Sequence, residues 1–250
     1  MPRRTALRPI RLTFACAVAI SLTVPALAGA KTKTVGADLR VVGPGGQTLA
    51  QQVQYTGTVK VRTDPDALCF GQGSGGSGAR VKLAGPTALG AVEDASATAR
   101  DVRPLSVTDA FDFGLGLCGI GGSTASLKLS WYLKVNHENP ELGGDSVKVK
   151  AGDDVLFALA PFPYPAELSL QAPDSARAGE PFTVRVFSYD DKGKRKPAVG
   201  ASVTGGTGPT GSDGRTTVML KKPARLIARH GKDIPSNREA VCLGGKCPRG

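Results

Sequence analysis

The sequence predicts a protein that is mainly β, with an α+β domain built around one main helix followed by a β-sandwich. Short segments in which apolar and polar residues alternate recur along the chain, most clearly in residues 126–136. Glycine and proline account for 33 and 18 of the 250 residues, which disfavours a mostly helical chain. Because 40% of the residues are hydrophobic, the chain can bury a core, and extensive disorder is not expected.

The first 30 residues predict an export signal. Arginines without any acidic residue precede an apolar run at residues 12–24, and small residues around Ala28 and Ala30 offer cleavage sites. A membrane anchor is the alternative, but this run is shorter than the ~20 residues that a spanning helix needs. We therefore expect an exported protein, extracellular or associated with the cell envelope, whose mature part has no transmembrane segment.

The first predicted domain covers residues 37–161. A hairpin is expected from residues 37–43 and 50–63, because residues 43–46 have the composition of a turn. The main helix is expected over residues 87–99, with Thr87 as its N-cap. The remaining strand candidates of this domain are residues 110–118, 126–136 and 146–159, and residues 152–154 indicate a turn or bulge within the last of them.

A proline-rich linker, residues 162–166, is expected to separate this domain from the second one. Prolines alternate with other residues there, which makes the connector stiff and extended. Residues 167–243 then show short strand candidates at the spacing of an immunoglobulin-like β-sandwich, and residues 244–250 form a tail. These strand candidates are residues 167–171, 182–187, 201–204, 215–220 and 224–228.

Four cysteines lie outside the expected export signal, and an even number of cysteines in an exported protein predicts disulfides. Cys242 and Cys247 are separated by a short, glycine-containing segment that can close into a loop, which leaves Cys69 to pair with Cys118. A zinc site is the alternative, but neither spacing matches that of zinc ligands. We expect two disulfides and no metal.

The chain carries 32 basic and 21 acidic residues, a formal net charge of +11, and its basic residues are densest toward the carboxyl terminus. Aromatic residues are not interleaved with these charges, and export would separate the protein from nucleic acid. An anionic polymer of the cell envelope is therefore favoured over nucleic acid as a macromolecular partner, but a merely solvated basic edge is favoured over both. The protein is expected to be a monomer.

Two glycine-rich loops adjoin the cysteines that are expected to pair. Gly73 and Gly75 follow Cys69, and Gly116 precedes Cys118, so a bridge would hold both loops in one exposed rim that could face a ligand. The alternative is that these glycines only permit tight turns around the bridge. Both loops match G-x-G-x-x-G, but neither lies between a strand and a helix of a βαβ unit, so dinucleotide binding is not expected.

Trp131 and Tyr132 are adjacent in a strand candidate and must therefore point to opposite faces. Trp131 has the same phase as the leucines of this strand and is expected in the core. Tyr132 shares its face with Lys134 and Asn136 and is expected at the surface, where an aromatic side chain often anchors a ligand. The candidate ligand-binding residues are thus Tyr132, Asn136 and Trp131, together with the three rim glycines, although Asn136 could instead serve the following turn.

Catalysis is not expected. The only two histidines, His137 and His230, fall in different predicted domains, and no G-x-S-x-G motif is present. The paired aspartates of the chain lie at predicted turns, where their side chains cap backbone amides. The thiols are expected to be oxidised and therefore cannot act as nucleophiles.

Three motifs of the first domain resemble the transcobalamin-like C-terminal domain family, a β-grasp-like module found in many exported bacterial proteins. They are the helix opening at residues 87–93, the segment at residues 130–136 and the closing strand at residues 147–156. The resemblance covers residues 37–161 and implies a β-grasp-like fold and a corrinoid-like small molecule as ligand, with no other cofactor. Residues 190–215 contain turns that resemble those of bacterial immunoglobulin-like repeats, which implies a role in spacing or presenting another module.

The sequence thus predicts an exported, non-catalytic module that binds a small molecule or a ligand of the cell envelope. The alternative is a structural or adhesive envelope protein without a small-molecule ligand. An apolar pocket between the glycine-rich loops and residues 131–136 would favour the first hypothesis, whereas a closed sheet with an exposed basic edge would favour the second.

Overall fold

The computed structural model describes residues 34–248, so the expected export signal lies outside the described residues. The fold class is confirmed, because this part of the chain is mainly β and contains one α-helix. The elements are β1 (Val35–Val42), β2 (Thr48–Thr56), β3 (Val59–Arg62), β4 (Arg80–Leu83), α1 (Ala88–Ser96), β5 (Leu105–Phe111), β6 (Gly114–Ile120), β7 (Ser123–Thr124), β8 (Leu129–Val135), β9 (Asp154–Pro161), β10 (Glu167–Gln171), β11 (Ser175–Ala176), β12 (Pro181–Tyr189), β13 (Arg195–Pro197), β14 (Ser202–Val203), β15 (Arg215–Met219), β16 (Ala224–Leu226), β17 (Ala228–Arg229) and β18 (Glu239–Leu243), with 3₁₀ turns at Pro44–Gly46 and Arg100–Val102.

A four-stranded mixed sheet with the strand order β2-β1-β9-β8 organises the first half of the described chain. β1 pairs with β2 in antiparallel and with β9 in parallel orientation, and β9 is antiparallel to β8. Parallel pairing requires a crossover, and the connection between β1 and β9 contains α1. The helix packs through Ala88, Val92 and Ala95 into a core that also contains Trp131.

The helix α1 begins at the expected residue and ends earlier than expected. Thr87 is its N-cap, and the Thr87 hydroxyl oxygen accepts a hydrogen bond from the Gly90 amide at 3.0 Å. At the other end, the hydroxyl groups of Ser96 and Thr98 donate to carbonyls of the last turn, which competes with continuation of the helix. No helix among residues 34–248 has the length and apolar character needed to cross a membrane.

Four strand expectations need correction. The strand expected over residues 50–63 is divided into β2 and β3, which belong to different sheets, and the one expected over residues 224–228 is divided into β16 and β17, which pair with different strands. The strand expected over residues 110–118 is a hairpin, because the chain reverses before Gly114, which has a φ of +130°. The strand expected over residues 146–159 begins only at Asp154, because the turn indicated there, with Gly152 at a φ of +82°, precedes the strand instead of interrupting it. Positive φ values favour glycine. Gly114 therefore marks the reversal within residues 110–118, and Gly152 marks the turn before β9.

The second half of the described chain is a two-layered β structure. β12 pairs with β10 along one side and with β15 and β13 along the other. The strands β11, β18 and β16 form a second sheet, and β14 pairs with β17. Val184 and Val186 of β12 share one core cluster with Leu226 and Val241 from β16 and β18.

The two expected disulfides are present. Cys69 and Cys118, which are 49 positions apart, connect the loop after β3 to β6. Cys242 and Cys247 close a short loop at the end of β18. The first bridge lies beside the cleft that is the candidate functional site.

Candidate functional site

A cleft of about 300 Å³ opens between β8, the loop after β3 and β6, and we call it the aromatic cleft. The second segment that the sequence predicts as a glycine-rich loop is thus the strand β6. Phe70, which follows the bridged Cys69, and Gly116 of β6 line one side, and Trp131 and Tyr132 of β8 also line it. The other aromatic side chains that line this cleft are Phe113, Phe157 and Tyr164. The sequence had placed a ligand site between these same segments and β8.

Exposed phenylalanines form the lip of the aromatic cleft. Phe70 meets Phe111 edge to face with 5.3 Å between ring centroids, and Phe111 stacks on Phe113 with 5.0 Å between centroids. Phe70 is 53% and Phe113 83% exposed to solvent. Contiguous exposed apolar side chains of this kind are typical of binding surfaces. The Cys69–Cys118 disulfide holds the lip, since Phe70 is the neighbour of Cys69 in the chain.

Trp131 lines the aromatic cleft and carries a buried hydrogen-bond donor without a partner among the described residues. Its side chain is 9% exposed and belongs to the core cluster that contains α1, as its phase in the strand had indicated. The indole N–H of Trp131 is buried and finds no hydrogen-bond partner among the residues that the structure describes. A buried indole N–H normally has a partner, so this group is an unusual feature of the core beside the cleft.

The expectation that Tyr132 is exposed is wrong. Tyr132 is 1% exposed, because residues that come later in the chain cover this face of β8. Its ring stacks on Tyr164 with 3.9 Å between centroids, and its hydroxyl donates to Asp191 Oδ1 at 2.5 Å. Burial and the hydrogen bond to the Asp191 carboxylate both raise the pKa of Tyr132. Lys134, on the same face, is buried as well, and its Nζ donates to the carbonyl oxygen of Asp190 at 2.7 Å.

The structure does not bring Asn136 to the aromatic cleft. Asn136 follows β8 with a φ of +52°, in the left-handed region that asparagine tolerates. Its side-chain amide donates to Asp153 Oδ1 at 2.9 Å, and its Oδ1 accepts from the Asp154 amide at 3.0 Å. These contacts give Asn136 the turn role that was the alternative to ligand binding.

Of the three rim glycines, only Gly116 lines the aromatic cleft. A Cβ atom at Gly116 would lie 2.9 Å from Phe70 Cε2, so glycine permits the close approach of the lip to β6. At Gly75 a Cβ atom would lie 2.1 Å from the carbonyl oxygen of Pro65, which makes Gly75 a packing residue of its loop. Gly73 has a φ of +80° and open space around it, so its role is conformational.

A buried charge network, which sequence reasoning missed, lies where β1 and β8 meet β10. The carboxylate of Glu167 is ion-paired with Arg40 Nη2, lies 3.5 Å from Lys134 Nζ and lies 3.1 Å from His137 Nδ1. Burial alone would raise the pKa of Glu167, but the hydrogen bond with His137 and the charges of Arg40, His137 and Lys134 outweigh it and hold this pKa below its usual value. The sequence offered one clue to this network, because Lys134 is a charged residue within a strand candidate of strong alternation.

The same network contains three side chains with metal-ligating atoms. One atom each of His137, Asp154 and Glu167 lie within 4.8 Å of one another. The cationic side chains of Arg40 and Lys134 approach the same carboxylate and would repel a divalent ion. We therefore interpret the group as an ion-pair network that joins the two halves of the chain.

No protein-family model matches the chain, and a search of curated proteins finds no significant match. Inferences about function therefore rest on the chemistry of its own residues.

Proposed function

We propose that the protein is an exported, non-catalytic binding module and that its ligand site is the aromatic cleft. The observation that carries this proposal is an apolar cleft between β8 and the two disulfide-bridged segments, which are the loop after β3 and the strand β6. A volume of about 300 Å³ is at the lower end of the range of small-molecule sites. Two disulfides support an oxidising compartment and hence export.

The residues that line the aromatic cleft favour a small, flat and uncharged molecule. Aromatic side chains such as Phe70, Phe113 and Trp131 offer faces and edges for stacking. None of the residues lining this cleft carries a formal charge at neutral pH, and a charged ligand would lose hydration without gaining a counter-charge.

The same chemistry supports binding rather than catalysis. The titratable side chains that line the cleft are Tyr132 and Tyr164. The pKa of Tyr132 is raised by burial, so its hydroxyl stays protonated at neutral pH. General acid–base catalysis near neutral pH needs a group whose pKa lies close to that pH.

The single tryptophan of the chain makes a direct test of this site simple, because Trp131 lines the cleft. We expect the neutral naphthyl ketone prodan to quench Trp131 fluorescence by energy transfer in a saturable titration. Phe113→Ser removes an exposed ring from the lip and should weaken prodan binding by about tenfold or more without lowering the unfolding midpoint.

Tyr55→Ser is the matched control for this titration. Tyr55 is 69% exposed and lies on β2, at the opposite edge of the sheet from β8. This variant should bind prodan as the unsubstituted protein does. Equal prodan affinity of the Phe113 and Tyr55 variants, or no saturation at all, would refute the aromatic cleft as the ligand site.

A corrinoid remains the ligand class that the resemblance to the transcobalamin-like family implies. A corrinoid is larger than this cleft and would rest on the exposed rings of Phe70 and Phe113. We expect a difference absorption spectrum when cyanocobalamin is added, and Phe113→Ser should reduce its amplitude. An unchanged spectrum at high micromolar cyanocobalamin would exclude corrinoids, while prodan binding would still support a small apolar ligand.

A second candidate function is adhesion to an anionic polymer of the cell envelope, and an arginine cluster favours it. The guanidinium groups of Arg185 and Arg195 lie over the ring of Phe187, at 4.6 and 4.5 Å from its centroid. Arg185 also faces Arg215 directly across the β12–β15 pair, and the Asp213 carboxylate, 3.7 Å from Arg215 Nη1, is the one acidic group among the described residues that pairs with these three arginines. Adhesion would be favoured if the protein were retained on heparin in a salt-sensitive manner and the double variant Arg185→Ala/Arg215→Ala were not retained. The absence of prodan binding would complete this result.

A further inference from the structure

A second cleft, of about 360 Å³, lies between the 3₁₀ turn Pro44–Gly46, the end of β9 and residues 229–235, and we call it the seam cleft. Its buried lining is aliphatic and includes Val42, Ala160 and Ile234, which are almost fully buried. The residues that line it include no aromatic ring, unlike those of the aromatic cleft. No residue lines both clefts, so the seam cleft can be considered independently of the proposed function.

The solvent side of the seam cleft is positively charged. Arg229 and Lys232 line the cleft, and both side chains are exposed. Within residues 34–248, neither cation forms an ion pair with a carboxylate. Asp233 is the acidic residue of the lining, and its Oδ2 lies 2.8 Å from His230 Nδ1, so its charge is directed to that histidine.

Glycine in the 3₁₀ turn allows the two walls of the seam cleft to approach each other. A Cβ atom at Gly46 would lie 2.6 Å from Pro235 Cγ and 2.9 Å from Arg229 Nη1. The carbonyl oxygen of Gly46 accepts a hydrogen bond from Arg229 Nη2 at 3.2 Å, which holds this guanidinium beside the cleft. The cation is thus positioned over an aliphatic cavity.

We infer that the seam cleft binds a single-chain amphipathic anion, with its aliphatic chain in the cleft and its headgroup at Arg229 and Lys232. An aliphatic lining without aromatic rings suits a flexible hydrocarbon chain. The favourable binding free energy comes from removing the methylene groups of that chain from water. Two cations without carboxylate partners complement a carboxylate or phosphate headgroup. The charge of the headgroup and the length of the chain should therefore both control affinity.

Calorimetric titrations with laurate and with dodecyl phosphate, each below its critical micelle concentration, test this inference and distinguish the two headgroups. We expect saturable one-to-one binding of at least one of them. Decanoate should bind more weakly than laurate by up to about sixteenfold, since each buried methylene contributes about fourfold. Neutral 1-decanol should bind more weakly than decanoate.

Two charge-reversal variants provide the matched comparison. Lys232→Glu should weaken binding of the tighter amphiphile by about fivefold or more, whereas Lys222→Glu, an exposed lysine of the same half that does not line the cleft, should leave it unchanged. Phe113→Ser should also leave it unchanged. The inference would be overturned if neither amphiphile bound saturably, or if the two lysine variants had equal effects. It would also be overturned if decanol bound as tightly as decanoate, or if Phe113→Ser abolished binding.

Discussion

The guanidinium of Arg40 in β1 forms a buried ion pair with the carboxylate of Glu167 in β10, across 127 positions of the chain. Arg40 Nη1 also donates to the carbonyl oxygens of Pro235, at 2.8 Å, and Leu168, at 3.3 Å. Buried charges are tolerated only when counter-charges and hydrogen bonds replace the lost water. Arg40 and Lys134 come from the sheet of the first half and Glu167 from the second, so the pairing fixes how the two halves pack.

Replacement of Glu167 tests how much this network contributes to the free energy of unfolding. Glu167→Gln leaves Arg40 and Lys134 buried without their counter-charge, and should lower the free energy of unfolding by about 3–5 kcal/mol, measured by urea denaturation at pH 7. The control is Glu180→Gln, because Glu180 is 61% exposed and pairs with the exposed Arg177 at 3.6 Å. Similar losses in the two variants would contradict a structural role for the buried network.

The network also predicts how stability depends on pH. Arg40, Lys134, His137 and Asp154 surround Glu167, whose pKa is lower in the folded protein than its usual value. A carboxyl group with a depressed folded pKa stabilises the fold above its unfolded pKa of about 4.3, and this stabilisation is lost as the pH falls through the folded pKa. The urea midpoint should therefore drop more steeply below pH 5 in the unsubstituted protein than in Glu167→Gln, and parallel profiles would contradict this.

The hydroxyl of Tyr132 is expected to contribute to the contact between the two halves. Tyr132→Phe leaves the carboxylate of Asp191 without this donor and should lower the free energy of unfolding by about 1–3 kcal/mol. Tyr55→Phe removes the hydroxyl of an exposed tyrosine and serves as the control for thermal and urea unfolding. If the two variants were equally stable, Tyr132 would not make the contact described.

The two disulfides should differ in their contribution to stability. The Cys69–Cys118 bridge closes a loop of 49 positions and should contribute about 4 kcal/mol by loop-closure entropy, against about 2 kcal/mol for the 5-position loop of Cys242–Cys247. Urea denaturation of the two double Cys→Ala variants checks this order. Prodan affinity should fall when the Cys69–Cys118 bridge is removed, because the lip of the aromatic cleft is then no longer held in place. It should stay unchanged when the Cys242–Cys247 bridge is removed, and the reverse pattern would contradict the role of the first bridge.

Features with a local origin were predicted from the sequence, and those with a distant origin were not. The N-cap at Thr87 and the pairing of Cys242 with Cys247 follow from residues a few positions apart. The burial of Tyr132 and Lys134 depends on Asp190 and Asp191, which lie more than 50 positions later. The alternation of β8 identified one apolar face, but it could not show that the polar face is also covered.

In the candidate site, too, features of local origin were predicted and features of distant origin were missed. The disulfide, which the sequence predicts, brings Gly116 of β6 next to Phe70, and the strand phase of Trp131 correctly predicts that its side chain lies in the core beside the cleft. Phe70 and Phe113 were missed, although Phe70 adjoins Cys69 and thereby offered a clue. Their importance comes from being exposed next to the cleft, and exposure depends on the packing of several elements.

The indole N–H resonance of Trp131 tests the central claim most directly, because the chain contains a single tryptophan and this group has no partner among the described residues. In ¹⁵N-labelled protein saturated with prodan, the resonance should shift, since the aromatic ring of the ligand lies against the residues that line the cleft, Trp131 among them. At the same prodan concentration, Phe113→Ser should show a smaller shift. An indole resonance that stays unmoved while prodan saturates the protein would contradict the account.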